Sequence, residues 1–439
     1  MVRKKVIILG AAGRDFHLFN TLFRTDENYD VIAFTANQIP FISDRLYPKE
    51  LSGKLYPSGV KIHDESELSL LIKKHRADIC ILAYSDLNDV DVMHKASLAN
   101  SCGADFWLVA PERTMLKSSK PVIAVCAVRT GAGKSPTSRY VAKALREMGV
   151  KTVIIRHPMP YGDLRKQIVE RFETLKDLDK YKTTIEERED YEPHIRNGFV
   201  VYAGVDYERI LRQAEKEADV VIWDGGNNDT PFVKPDLMIT IADPLRAGSE
   251  LTYYPGETCA RLADLLIINK VDSAAKSDVE RVRTALEKLN PKAKIILADS
   301  VVTADNPHII KGKSALLVED GPTITHGNML FGAATIAAKQ YGAGEVVDAK
   351  PYAVGTVKAT FEKYNISKEL PAMGYNAKQI KDLETTINRA DCDIVISATP
   401  TNLRHLVNSN KPIVQVSYEI KPRGNGLDEE IKKFVKRNR

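Results

Sequence analysis

Between an apolar strand and a helix the chain carries Arg129-Thr130-Gly131-Ala132-Gly133-Lys134-Ser135, a loop that few folds can accommodate. Val122 to Val128 is an unbroken apolar run, the pattern of a strand buried on both faces of a parallel sheet, and Ser138 to Met148 reads as the amphipathic helix that follows. Gly131 and Gly133 let the backbone wrap an anion with no Cβ in the way. Successive N–H groups and the helix N-terminus then face a phosphate, Lys134 neutralises it, and the Ser135 hydroxyl is placed to ligate Mg²⁺. Pro136 suits the first helical turn. The spacing predicts a P-loop nucleoside triphosphate site built on residues 130–135, with Lys134 as its catalytic cation.

Val128 stands where the pattern G-x-x-x-x-G-K-[ST] has its first glycine, and a charged residue, Arg129, lies five positions before the lysine. Variants of this kind resemble the branch of P-loop proteins that includes dethiobiotin synthetase and the ATPases with a second, signature lysine. Arg129 is a candidate catalytic clamp on a phosphate, within the subunit or across a homodimer, because guanidinium favours bidentate phosphate contacts; the plainer reading is a surface arginine at a loop entry. Downstream, Asp219 to Trp223 is an apolar strand delivering Asp224-Gly225-Gly226, and Asp224 is the expected carboxylate for Mg²⁺ and catalysis. Asp264 to Ile268 is another buried strand, delivering Asn269-Lys270-Val271-Asp272. That tetrapeptide is the guanine-reading pattern, but it also serves as a general base pocket, so ATP and GTP both stay open.

A chain of 439 residues should hold two or three domains. Hydrophobic content of 44% with 28% charged residues fits a globular protein, and a net charge of +5 spread over mixed-sign segments gives no footprint for nucleic acid. The five cysteines are scattered singly, with no disulfide or zinc spacing. The apolar run Val6 to Leu9 is too short for a signal peptide, and no stretch approaches the roughly 20 apolar residues of a membrane span. The expectation is a cytoplasmic protein without membrane partners.

The predicted fold class is α/β in three parts. Residues 1–118 alternate strands and helices as a Rossmann-like N-terminal domain, with Gly10 and Gly13 in the first turn. Asp15 stands near the place of a third glycine, and the second strand ends in Thr35-Ala36-Asn37 rather than a ribose-binding acid, which argues against a nicotinamide dinucleotide. Residues 119–345 form a doubly wound P-loop domain whose strands include Leu316-Leu317-Val318, and residues 346–439 a small α/β C-terminal segment.

Three polar clusters follow strand ends in the P-loop domain: Arg156 to Asp163, Asp224 to Asp229, and Glu319 to Gly327. Arg156, His157, Thr323 and His326 are the candidate holders of a small anionic phosphorylated metabolite, since cations, hydroxyls and glycine-rich turns suit a phosphate. The acid-rich stretch Thr184 to His194 reads first as a solvated helix end, with a part in Mg²⁺ binding or a lid as the alternative.

Taken together, Val128 to Ser135, Arg156 to Leu164, Thr184 to Ile195, Trp223 to Asp229 and Val318 to Gly327 resemble the cyclic 2,3-diphosphoglycerate synthetase-like family, P-loop proteins also described as predicted GTPases. The resemblance spans nearly the whole chain. It implies ATP- and Mg²⁺-dependent closure of 2,3-diphosphoglycerate into an internal phosphoanhydride, with release of ADP and phosphate. Two alternatives stay open: a regulatory or chaperone-type GTPase reading guanine through Asn269, Lys270 and Asp272, and a kinase or ligase acting on another metabolite.

Overall fold

The computed structural model describes residues 2–37, 45–157, 162–226, 229–325, 329, 331–372 and 377–438. Among them the strands build two large sheets. The first takes β1 (Lys4–Leu9), β2 (Tyr29–Ala36), β3 (Leu46–Tyr47), β4 (Val60–Asp64), β5 (Ile79–Leu82), passes over β6 (Leu87–Asn88) and ends in β7 (Asp105–Leu108), in the order β3-β4-β2-β1-β5-β7. All pairs are parallel except β3 with β4. The order reverses between β1 and β5, as expected of a Rossmann-like sheet, and the carboxyl ends at that switch point are where such sheets receive ligands.

The second sheet centres on β8 (Val122–Ala127), buried along its whole length. Its neighbours are β12 (Val220–Asp224) and β13 (Leu237–Ala242), flanked by β9 (Thr152–Arg156), β10 (Glu170–Phe172) and β11 (Val200–Ala203) on one side, and by β15 (Leu265–Ile268) and β16 (Lys294–Ala304) on the other. Both faces are covered, one by a core around Val125, Leu145 and Ile222, the other around Cys126, Trp223 and Phe232. Continuous apolar runs, rather than alternating ones, are the sequence correlate of that double burial. The pairing of β12 directly to β8 brings Asp224 beside the P-loop.

The C-terminal strands continue the second sheet. Leu316-Leu317-Val318 lies in β17 (Ser314–Asp320), which pairs with β20 (Ile394–Ser397), β18 (Glu345–Val346) and β19 (Leu370–Ala372), not with the P-loop strands. β20 in turn pairs with β21 (Ile413–Pro422). The link to the P-loop sheet is β16, eleven residues long: its first half runs parallel to β15 and its second half antiparallel to β21. Local apolar patterning identifies each strand but carries no information about which distant strand it joins.

Contacts that seat the N-terminal domain on the P-loop domain include a short ladder, a ring stack and the buried Arg14–Asp229 ion pair. β6 pairs with β14 (Tyr253–Tyr254), and the His17 ring stacks on Phe232 at 4.3 Å between centroids. No helix among the described residues is long and apolar enough to cross a membrane.

Candidate active site

The P-loop is shaped by its glycines. Gly131 and Gly133 have φ of +79° and +115°, and a Cβ at 133 would collide with the Asn269 amide. Asn269 Nδ2 donates to the Ala132 carbonyl at 2.9 Å, and Lys270 Nζ donates to the Gly131 carbonyl at 2.6 Å and to Asp243 Oδ2 at 2.9 Å. Arg246 donates to the Thr130 carbonyl at 2.8 Å. Asn269 and Lys270 therefore brace the loop. Asp272 does something else: its Oδ1 accepts from the Ser300 amide at 2.9 Å, and it does not line the cavity beside the loop.

At the phosphate end three residues converge on one carboxylate. Asp224, fully buried, accepts from Lys134 Nζ at 2.6 Å on Oδ1 and from His194 Nε2 at 2.8 Å on Oδ2, with Arg156 Nη1 at 3.0 Å. Burial works to raise this carboxyl, but Arg156 and Lys134 overrule it and hold it well below the usual carboxylate range. Burial and the neighbouring Arg156 push the Lys134 ammonium down, while Asp224 pulls it back. Burial also lowers His194, so its neutral ring donates to the carboxylate. Arg156 makes a second ion pair with Asp190 and lies 3.4 Å from the Ser135 hydroxyl. A cationic group thus bridges Ser135 and Asp224, hard oxygen donors of the kind Mg²⁺ takes.

Asp190 and His194 were not singled out in sequence. They sit four residues apart on the helix Ile185–Arg196, which puts both on one face. Of the two readings of the acid-rich stretch, a solvated helix end or a part in the site, the second is the one this face fits, since His194 meets Asp224 and Asp190 meets Arg156. Thr184 and Glu187 close its N-terminus as a capping box. Arg156, assigned to a second substrate, lies instead within the phosphate-end cluster. His157 occupies the junction of domains: a Cβ on Gly13 would fall inside its ring, and its Nε2 is 4.0 Å from Asp229. Thr323 donates to Asp320 and stands 3.4 Å from where a Cβ on Gly131 would be. Arg129 is buried with its guanidinium 3.7 Å from the Tyr253 ring centroid and Nε 3.6 Å from Asp86. His326 lies outside the described residues.

All three parts of the chain line one cavity of about 800 Å³. The P-loop and Arg156 form its cationic end, β17 and β21 contribute Asp320 and Tyr418, and the N-terminal domain contributes an acidic wall with Asp15, Asp86 and Asp91. Asp15, at the position expected of a third glycine, accepts from the Ala12 and Phe16 amides at 2.6 and 2.7 Å and so ties off the first turn. Burial pushes its carboxyl up to about 7 against those bonds. The sign follows: the folded state holds a proton that the unfolded state gives up above the ordinary value of 3.8, so stability falls as pH rises from there through about 7. Asp15→Asn keeps the acceptor and should remove that dependence, on the order of 4 kcal/mol over the window. Urea unfolding of both proteins between pH 4 and 8 reads it, and parallel curves would contradict it.

Fold and site together define a P-loop nucleoside triphosphatase of the ligase type. Residues 214–297 match the CobW/HypB/UreG nucleotide-binding domain. The chain is 60% identical over 423 residues to the arginine synthetase ArcE of Thermococcus kodakarensis, covering 96% of this chain and 94% of that one. It belongs to the family of that synthetase. Cyclic 2,3-diphosphoglycerate synthetase of Thermococcus sibiricus is a more distant relative, 28% identical over 304 residues, 64% of this chain and 68% of that one. Among solved structures, LpxK from Aquifex aeolicus in complex with ATP aligns over 85% of this chain and 98% of its own, with 14% identity and a TM-score of 0.43.

Proposed function

We propose that the protein is an ATP-dependent synthetase that closes the guanidinium group of arginine. The observation that carries this reading is the polarity of the cavity, cationic at the P-loop and acidic along the N-terminal wall. A doubly phosphorylated acid would be repelled by that wall, whereas an amino acid with a positive head group is drawn to it. The name of the 60% identical relative supports the same product.

The chemistry follows from the product. A ureido oxygen attacks the γ-phosphorus of ATP, ADP leaves, and the carbon now carries a phosphate as leaving group. Ammonia adds to that carbon and expels inorganic phosphate, which leaves the guanidinium. Lys134 and Arg156 neutralise the transferring phosphoryl group, and Asp224 with His194 holds both cations in place until the nucleotide arrives. Mg²⁺, held by Ser135 and through water by Asp224, would supply further charge neutralisation.

In the test, the full chain is incubated with ATP, Mg²⁺ and ammonium, together with citrulline, 2,3-diphosphoglycerate or neither, and followed by phosphorus NMR and amino-acid analysis. The expected result is ADP, phosphate and arginine with citrulline alone. A cyclic anhydride formed from 2,3-diphosphoglycerate would restore the expectation drawn from sequence. GTP hydrolysis indifferent to every metabolite would favour a regulatory GTPase.

Because Asp272 is turned to Ser300 and off the cavity, Asp272→Asn should leave the ratio of ATP to GTP affinity unchanged. Calorimetric titration checks this, and a selective loss of GTP binding would return guanine recognition to Asp272.

A further inference from the structure

The Asp86 carboxylate is the one element of the acidic wall whose bonding is incomplete in a way that points to a ligand. It follows β5, at the switch point of the N-terminal sheet, and its side chain is only 4% exposed. Among the described residues, neither oxygen meets a donor at hydrogen-bond distance and angle. The cation beside it, Arg129, stands 3.6 Å away through Nε, an ion pair longer than a normal hydrogen bond. A buried carboxylate with both oxygens open is costly, and a donor-bearing group that reaches it recovers that cost.

The position is held before any ligand arrives. Asp86 has φ of +65°, a left-handed conformation uncommon outside glycine, asparagine and aspartate. Its amide donates to the Tyr254 carbonyl at 3.0 Å, and the next two residues pair with Tyr253 and Tyr254. The N-terminal domain thus presents this carboxylate to the cavity from a segment fastened to the P-loop domain.

Resting on the reading of the protein as a synthetase for a cationic amino acid, we propose that Asp86 binds the positively charged head group of that amino acid. The N-terminal domain is then the amino-acid domain and not a second nucleotide domain. The head group is an α-ammonium or a guanidinium; either supplies the N–H donors the open oxygens lack.

Calorimetric titration of the full chain and of Asp86→Asn, each saturated with a non-hydrolysable ATP analogue, decides the matter. Asparagine tolerates the left-handed backbone, so the variant keeps its fold, checked by thermal melting and by analogue binding. The probes are citrulline, which has an α-ammonium and a neutral tail, and 4-guanidinobutyrate, which has a guanidinium and no α-ammonium. A loss of about tenfold or more for citrulline assigns the α-ammonium to Asp86, and the same loss for 4-guanidinobutyrate assigns the guanidinium. Equal affinities in variant and wild type overturn the proposal and leave Asp86 as an internal partner of Arg129. If the wild-type protein binds neither probe, the synthetase reading itself falls, and the proposal with it.

Discussion

Lys134→Ala should lower nucleoside triphosphate turnover by about 10²–10³-fold or more, the scale of losing a preorganised charge in a water-poor site. The fold should survive, because Asp224 keeps Arg156 at 3.0 Å and His194 at 2.8 Å after the ammonium is gone. Turnover should fall further than nucleotide affinity, since the lysine acts most strongly on charge that develops as the phosphoryl group transfers. ADP release in a coupled assay, set beside calorimetric binding, separates the two. A folded Lys134→Ala protein with near wild-type turnover would remove the loop from the chemistry.

Asp224→Asn should do the opposite in one respect: it should cost stability as well as activity. The carboxylate is the shared anion of a buried cluster, and its loss leaves Lys134 without its carboxylate partner and Arg156 with Asp190 alone. Breaking such a buried arrangement costs about 3–5 kcal/mol. The contribution of Asp224 is present above the ordinary carboxylate range and is lost as pH falls through its depressed folded value. The difference between variant and wild type should therefore be full at neutral pH and narrow in acid. ATP should narrow it too, because the phosphates replace the missing anion. Calorimetric unfolding at pH 7 and pH 3, with and without ATP, measures this; an Asp224→Asn protein as stable as wild type at pH 7 would contradict it.

Much of this site was legible in the sequence. The strand before Arg129, the glycines, Lys134 and the strand that ends in Asp224 each follow from local rules of periodicity and turn chemistry, while the helix expected over Ser138 to Met148 starts earlier, at Lys134, because the loop itself forms its first turn. His194 and Asp190 were missed because charge density dominates their helix. The available signal was their spacing of four, with Tyr191 and Ile195 marking a buried face. Asn269-Lys270-Val271-Asp272 shows the limit of a motif: the first two residues brace the loop, but the direction of the Asp272 carboxylate depends on the Ser300 amide, contributed by a separate strand. Leu316 to Val318 is a strand of the same continuous sheet as the P-loop strands, and its pairing with β20 and β19 rather than with its neighbours in sequence is not legible locally, since those partners lie tens of residues away.

The eleven residues of β16 give the molecule a mechanical property. Half of the strand pairs with β15 and half with β21, so the P-loop and C-terminal ends of one sheet are joined by a beam rather than by a flexible tether. Changing the gap between Thr323 and the P-loop means twisting that beam, and the restoring torque of its hydrogen-bonded ladder opposes both gaping and overclosure. The width of the nucleotide cleft is in this sense an elastic constant of that strand together with the bonds that Arg139 and Tyr140 make to Tyr418 and Asp428.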